Sequence, residues 1–186
     1  MISTARATLV PAGIWAVDPG HSTVGFSVKH LGIATVRGEF DEFEGTLEID
    51  DGDASARAFG TVQGVSVNTK DAGRDEHLRS ADFFGVEANP ELRFESTRVT
   101  PVDGDTFEIE GDLSMNGVTK PVSLTAEVQG LETDPWGNER VGLEVRGQLN
   151  RRDWNMTFNQ ALGSGNLLVG EKVTLTLDIS AVKQAA

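Results

Sequence analysis

The chain has 186 residues and a formal net charge of −13, and this length suits one domain that can bury a core or enclose a cavity. Hydrophobic residues make up 38% of the chain and charged residues 24%, which are not the proportions of a disordered chain. The acidic charge argues against a nucleic-acid partner, because phosphate binding needs a basic surface, and the absence of cysteine excludes disulfides and thiolate chemistry.

The first thirteen residues contain one charged residue, Arg6, and no apolar run long enough for a secretion signal. We interpret residues 1–13 as a flexible N-terminal arm and residues 14–183 as a single domain. Because no signal is recognised, the protein is expected in the cytoplasm.

The first part of the domain contains three predicted strands. Residues 22–30 alternate between apolar and polar side chains, as a half-buried strand does. Residues 36–49 alternate on both sides of an interruption at Asp41 and Glu42, and the glycines in this run predict bulges or sharp bends. Residues 59–68 are rich in valine and threonine and form the third predicted strand.

The second part of the domain contains five more predicted strands, at residues 92–99, 106–115, 118–128, 140–151 and 172–182. Most of them alternate cleanly, which indicates an antiparallel sheet with one face in water. The irregular stretch near residues 153–168 is long for a connection, and this length is typical of a functional loop.

About eight long strands indicate an all-β protein, either an antiparallel up-and-down barrel or a two-sheet sandwich. Strand length favours the barrel, because barrel strands are tilted and must run further to cross it. A membrane-spanning barrel is not expected, since the chain has no tyrosine and only three tryptophans to form aromatic girdles. The apolar face therefore points inward. It mixes phenylalanines with glycines, which suits either a filled interior or a cavity that holds one ligand.

Between the two parts lies the densest cluster of charge, histidine and paired aromatics, residues 74–84. We predict a short helix near residues 71–81, in which Asp75 could pair with Arg79 four residues later. One interpretation is a solvated surface helix.

The other interpretation is a polar rim over an apolar interior. Arg74, His77 and Arg79 would form the rim, because guanidinium groups suit phosphate and carboxylate groups. Phe83 and Phe84 would anchor the segment inward.

The three histidines, His21, His30 and His77, do not have the spacing of a metal site. A nucleophilic triad needs an oriented base and a nucleophile near oxyanion donors, and the sequence has no nucleophile-elbow motif. We therefore predict no metal site and no catalytic residue. The alternative is a small-barrel enzyme that acts on a lipid-like substrate through His77 or His21. Finding either histidine inside a cavity and hydrogen-bonded to a carboxylate would favour this alternative.

Five blocks of the sequence, in order, resemble those of the YceI-like family: WAVDPGHSTVGFSVKH at 15–30, VRGEF at 36–40, RDEHLRSADFF at 74–84, GDLSMNGVTKPV at 111–122 and NRRDW at 150–154. The resemblance implies a lipocalin-like antiparallel barrel whose lengthwise apolar channel binds polyisoprenoids or other long-chain amphiphiles, without catalysis. Two departures concern the mouth of the channel. Gly85 stands where an acidic residue is common, and Trp154–Asn155 replaces a Phe-Gly-like pair.

We hypothesise a non-enzymatic protein that binds, transports or stores a long-chain amphiphile of the polyisoprenoid, isoprenoid quinone or fatty-acid type, with no other cofactor. The channel and its rim are predicted to contact the ligand through Val24, Phe26, Val28, Phe40, Phe43, Arg74, His77, Arg79, Phe83, Phe84, Leu113 and Trp154. We expect neither a nucleic-acid partner nor a membrane span, and a homodimer is compatible with the sequence. A packed barrel used only for protein contacts is the remaining alternative.

Overall fold

The computed structural model describes residues 10–51 and 55–186, so residues 1–9 of the predicted arm lie outside the described residues. Along these ranges the regular elements are β1 (Gly13–Val17), β2 (Thr23–His30), β3 (Ala34–Phe40), β4 (Phe43–Ile49), β5 (Ala56–Gln63), β6 (Val67–Asn68), α1 (Ala72–Arg79), β7 (Glu91–Asp103), β8 (Thr106–Met115), β9 (Val118–Thr133), β10 (Glu139–Asn150) and β11 (Val169–Lys183). Short 3-10 turns lie at Pro19–His21, Gly64–Ser66 and Arg151–Trp154.

The strands form a closed antiparallel barrel, which confirms the predicted all-β fold. Neighbouring strands follow the order β1-β4-β5-β7-β8-β9-β10-β11, and β1 closes the ring by pairing with both β4 and β11. β2, β3 and β6 extend β1, β4 and β5 beyond short interruptions, so the eleven segments make up eight barrel strands. Closure pairs the edges that an open sheet would leave exposed to other chains.

Each predicted strand overlaps an observed one, but β7 and β9 run four and five residues beyond their predicted ends, and the turn Gly64–Ser66 divides the predicted strand 59–68 into β5 and β6. The interruption at Asp41 and Glu42 separates β3 from β4, and β8 occupies the predicted range 106–115. β1 was not predicted, because five residues are too few to establish an alternating pattern. Trp15 in β1 has no exposed surface, and its indole nitrogen donates a hydrogen bond to the carbonyl of Pro11 at 3.0 Å.

The predicted helix is present as α1, within the range 71–81. It begins after Asp71, whose side chain accepts a hydrogen bond from the backbone nitrogen of Arg74 and so caps the first turn. The irregular connection predicted near residues 153–168 is also present, after the 3-10 turn that follows β10.

The predicted ion pair between Asp75 and Arg79 is wrong, since residues 55–186 contain no such pair. Asp75 is buried, and its carboxylate accepts hydrogen bonds from the backbone nitrogen and the hydroxyl of Thr69 at 2.9 and 2.5 Å. Two buried donors hold a carboxylate more firmly than one solvated arginine does, because water and salt weaken exposed ion pairs.

The two ends of the barrel differ. α1, the β2–β3 turn and the segment between β10 and β11 lie at one end, which we call the helix end, and the β7–β8 and β9–β10 hairpins lie at the opposite end. A cluster of buried apolar side chains around Trp15 and Val141 fills the opposite end, and neither of these two residues has exposed surface. The interior is therefore plugged at the opposite end. No helix within the described ranges is both long enough and apolar enough to cross a bilayer.

An ion-pair network joins the turn between β1 and β2 to β10. Asp18 accepts a hydrogen bond from the Nη1 of Arg140 at 2.9 Å and lies 2.8 Å from the Nδ1 of His21. Arg140 also donates through Nε to Asp134 at 2.8 Å. Arg140, and to a smaller extent His21, lowers the pKa of Asp18 to about 2, and Arg140 holds the pKa of Asp134 well below its usual range.

We predict that Asp18→Asn flattens the dependence of stability on pH in acid. The folded-state pKa lies below the ordinary value of 3.8, so the ionised Asp18 stabilises the fold above that pH and loses this contribution as the pH falls toward about 2. The free energy of unfolding of Asp18→Asn should be lower than that of the wild type at neutral pH, and should decrease less over this range. Urea unfolding followed by tryptophan fluorescence measures both quantities.

The control is Asp112→Asn, which removes an exposed carboxylate on β8 that makes no side-chain hydrogen bond within the described ranges. This variant should follow the wild type at every pH. An acid dependence in Asp18→Asn that equals the wild-type dependence would contradict the assigned role of Asp18.

Candidate ligand-binding site

The barrel encloses an elongated cavity of about 660 Å³. It extends from His77 and Leu168 at the helix end to Ala181 beside the apolar plug, and its lining surface is almost entirely apolar. Ligand cavities in proteins measure roughly 300–1,000 Å³, so this cavity has the size of a binding site. Of the two interiors compatible with the sequence, the structure has the hollow one.

The glycines that face the interior do not create this space. A Cβ atom at Gly38 would collide with the ring of Phe26 on the neighbouring strand, and one at Gly111 would collide with the ring of Phe94. Each of these glycines therefore makes room for an inward-facing phenylalanine. The hollow arises because the side chains of eight strands do not meet across the middle of the barrel.

Most of the predicted ligand residues line the cavity: Val24, Phe26, Val28, Phe40, Phe43, Arg74, His77, Phe83, Phe84 and Leu113. The ring centroid of Phe40 lies 5.6 Å from that of Phe26 and 5.5 Å from that of Phe84. These tilted and edge-on contacts are favourable aromatic geometries, so the three rings form one continuous apolar wall.

The structure does not bring the other two predicted residues, Arg79 and Trp154, to the cavity. Trp154 is buried behind the wall, where its indole nitrogen donates to the carbonyl of Leu113 at 2.9 Å and its own carbonyl accepts from the amide of Asn116 at 2.9 Å. Arg79 borders a shallow outer groove instead. A helical residue five positions after Arg74 faces a different side of α1, which explains the separation.

Arg74 places a positive charge at the helix end of the cavity. Its Nε donates to the hydroxyl of Thr69 and its Nη2 to the carbonyl of Thr69, both at 2.8 Å. Among the described residues its guanidinium forms no direct ion pair with a carboxylate, and the hydroxyl of Thr69 bridges it to the carboxylate of Asp75.

Arg151 also lines the cavity, and the sequence analysis did not select it. The side chain is 4% exposed and donates to the carbonyls of Gly170, Met156 and Val169 at 2.8, 2.6 and 3.3 Å. Burial lowers the pKa of this guanidinium. The sequence does show that this arginine belongs to the NRRDW block and precedes a long loop without charged residues. Its burial, however, depends on contacts with distant residues, which the sequence does not reveal.

His77 borders the cavity at the helix end, where 41% of its side chain is exposed, and it is hydrogen-bonded to a carboxylate. Its Nε2 is 2.8 Å from the Oδ2 of Asp82, and its ring packs edge-on against Phe83 and Phe158 at centroid distances of 5.1 and 4.7 Å. This is the arrangement that favours the enzymatic alternative, because a carboxylate orients a histidine base. His21 does not share it, since its exposed ring pairs with Asp18 away from the cavity.

In residues 10–51 and 55–186, no group of three or more histidine, aspartate or glutamate side chains is arranged to hold a metal ion.

Comparison with known proteins assigns the chain to a family. A model of the YceI-like domain matches residues 15–181. The chain belongs to the YceI-like family. It is 39% identical to the protein YceI of Escherichia coli O157:H7 over 165 residues, which are 88% of this chain and 83% of that protein. Membership of this family supports a binding role for the YceI-like barrel described here.

Solved structures share the same barrel. The structure of BcnA from Burkholderia cenocepacia has a TM-score of 0.77 and 18% identity, and the match covers 88% of this chain and 98% of BcnA. A polyisoprenoid binding domain from Saccharophagus degradans has a TM-score of 0.67 and 16% identity, with 91% of this chain and 98% of that domain covered. At these identities the likeness shows the fold.

We predict that Arg151→Met lowers the free energy of unfolding by about 2–4 kcal/mol, because it removes the charged side-chain donor of the carbonyls of Gly170 and Met156. The carbonyl of Val169 keeps its hydrogen bond from the side-chain amide of Asn159. Arg152→Met is the matched control. Arg152 is exposed and forms one ion pair with Glu171 at 2.9 Å, so its loss should cost about 0–1 kcal/mol. Urea unfolding measures both values, and equal values would contradict the structural role of Arg151.

Proposed function

We propose that this protein binds one long-chain amphiphile, of the polyisoprenoid, isoprenoid quinone or fatty-acid type, and carries or stores it without chemical change. The observation that carries this proposal is the elongated apolar cavity inside the closed barrel. The polyisoprenoid binding domain of Saccharophagus degradans, which has a similar barrel, supports the isoprenoid class. We further propose that residues 14–183 act as one domain and that the protein is cytoplasmic, as the sequence analysis expects.

The free energy of burying apolar surface favours a ligand with a long tail. Each buried methylene contributes about 0.8 kcal/mol, so a tail of about ten carbons contributes about 8 kcal/mol. Association costs about 4–15 kcal/mol in lost translational and rotational freedom, which largely cancels this gain. A tail of about sixteen carbons contributes about 13 kcal/mol and leaves a larger surplus. The cavity wall therefore selects for chain length more than for a particular tail structure.

The polar head group would lie at the helix end. Arg74 and Arg151 place two guanidinium groups there, and His77 adds a ring nitrogen in the same region. In an acidic protein, two cations that lack carboxylate partners among the described residues favour an anionic head group. Binding in this orientation leaves the tail against the aromatic wall and directs it toward the plug.

Native mass spectrometry tests the proposal. We expect the protein as purified from its host to carry a long-chain molecule, and the delipidated protein to bind geranylgeraniol and hexadecanoate in a one-to-one complex. Hexadecanoate should bind more tightly than hexadecanol if the guanidinium groups receive the head. Repeated preparations that stay empty when these ligands are offered would refute the proposal.

We predict that Val24→Trp reduces ligand affinity at least tenfold, because Val24 faces the cavity and the larger ring would occupy ligand volume. Thr23→Trp is the matched control, since Thr23 is the exposed neighbour on the same strand. Circular dichroism checks that both variants keep the barrel. If both variants bind the ligand as the wild type does, the cavity is not the binding site.

A second candidate function is catalysis on a lipid-like substrate through His77. It is favoured by the placement of His77 at the mouth of the cavity and by its hydrogen bond to Asp82. In a hydrolytic enzyme, a histidine of this kind would act as a general base on water or on a substrate hydroxyl.

Incubation with geranylgeranyl acetate separates the two functions. We expect the carrier to return the ester intact, with no free alcohol detected by gas chromatography, and we expect His77→Asn to behave in the same way. Release of alcohol by the wild type, together with its loss in both His77→Asn and Asp82→Asn, would support the enzyme instead.

A further inference from the structure

Two loops at the helix end form an apolar tip. We define the apolar tip as residues 31–33, the β2–β3 turn, together with residues 161–168 of the loop before β11. The backbone nitrogen of Leu31 donates to the carbonyl of Leu168 at 3.0 Å, so the two loops are joined. Ile33 is 78% exposed and Leu167 is 38% exposed, an unfavourable placement for large aliphatic side chains in water.

The backbone of the β2–β3 turn is also unusual. Leu31 has a φ of 56° and Gly32 a φ of 72°, and the nitrogen of Ile33 donates to the carbonyl of His30 at 3.1 Å. Turns with two positive φ angles normally carry asparagine, aspartate or glycine at the first central position. A leucine there is strained, so the sequence keeps an aliphatic residue where a polar one would fit the backbone better.

The two segments that carry the apolar tip contain no acidic residue, although Glu171 follows the second segment and α1 at the same end carries Asp75 and Glu76. The protein contains 29 acidic residues, yet residues 27–38 and 154–170 contain none. The first of these ranges carries Lys29 and Arg37, which are both exposed and form no ion pair among the described residues. Lys29 and Arg37 lie on the two strands that lead to and from the β2–β3 turn. Lys29 pairs with Thr35, one pair away from the last pair before the turn, and Arg37 pairs with Ser27, three pairs away from it.

The opposite end of the barrel provides the contrast. Trp136 in the β9–β10 hairpin is 82% exposed, and its backbone nitrogen donates to the carboxylate of Asp134. The hairpins at this end also contain Asp103, Asp105 and Glu132. Negative charge around an exposed apolar side chain opposes approach to an anionic surface, whereas the positive charge behind the apolar tip favours it.

We propose that the apolar tip docks this protein onto the surface of a bilayer that contains anionic lipids. Ile33 and Leu167 enter the boundary between head groups and acyl chains, while Lys29 and Arg37 contact lipid phosphates. Apolar insertion combined with basic residues is the physical basis of reversible surface binding, and neither contribution alone is strong. Docking is a property of the outer surface and does not require a ligand in the cavity.

If the cavity binds a long-chain amphiphile as proposed, docking also brings the cavity close to a source of that ligand. Lys29, His30 and Leu168 belong both to the region of the apolar tip and to the cavity lining. A docked barrel therefore presents the helix end of its cavity to the lipid. A long-chain amphiphile could then move between bilayer and cavity with little of its tail crossing water, which lowers the barrier to exchange.

Co-sedimentation with extruded vesicles tests docking. We expect the wild-type protein to bind phosphatidylcholine vesicles that contain phosphatidylglycerol, and to bind pure phosphatidylcholine vesicles much more weakly. The double variant Ile33→Ser with Leu167→Ser should lose at least about tenfold in affinity, because two aliphatic side chains no longer enter the lipid. Trp136→Ser, at the opposite end, should bind as the wild type does.

The charge contribution is tested separately. Replacement of Lys29 and Arg37 by glutamine should lower affinity for the anionic vesicles about fivefold per residue and reduce its dependence on salt. The control replaces Arg57 and Arg98 by glutamine, which changes the net charge equally on the outer faces of β5 and β7. A control that loses as much affinity as the test variant would overturn the assigned surface.

Two further outcomes would refute docking. One is a wild-type protein that stays in the supernatant with both kinds of vesicle, and the other is equal loss of binding in the tip variant and in Trp136→Ser. Ligand binding is measured separately, by native mass spectrometry without vesicles, so that a failure of docking can be distinguished from a failure of ligand binding. A tip variant that binds ligand normally but not vesicles supports docking, whereas a failure to bind ligand leaves the vesicle result standing.

Discussion

The pairing of β1 with both β4 and β11 is the constraint on which the rest of the structure depends. It turns an open sheet into a closed ring, so the apolar face of every strand faces the same enclosed space. The same short strand carries Trp15, whose buried ring belongs to the plug at the opposite end. Without this closure the inner face would meet water along its whole length, and the cavity would be a groove.

The two ends of the closed cavity also differ in polarity. One end is plugged by apolar side chains, and the other carries Arg74, Arg151 and His77 on its lining. An amphiphile has the same asymmetry, with a tail that avoids water and a head that requires polar partners. For the proposed amphiphile this asymmetry favours one orientation, with the tail toward the plug.

The segment between β10 and β11 connects the interior of the barrel to its surface. Arg151 holds this segment against β11 through backbone carbonyls, and Phe158 packs on His77 at the cavity lining. Further along, Leu167 belongs to the apolar tip. The cavity and the outer surface therefore meet in this loop and in Lys29 and His30 of β2.

The sequence by itself determined the strands from β2 onward, the short helix and the barrel, because side-chain alternation is local and assigns each residue to a face. Ten of the twelve residues that it predicts to contact the ligand also line the cavity. Only the tertiary structure decided that the barrel is hollow, that Arg79 and Trp154 lie away from the cavity, and that Arg151 is buried beside it. Internal volume depends on how many strands close the ring and how they are staggered. The burial of Arg151 depends on segments that meet only after the chain has folded. Neither the internal volume nor this burial can therefore be predicted from a local sequence pattern.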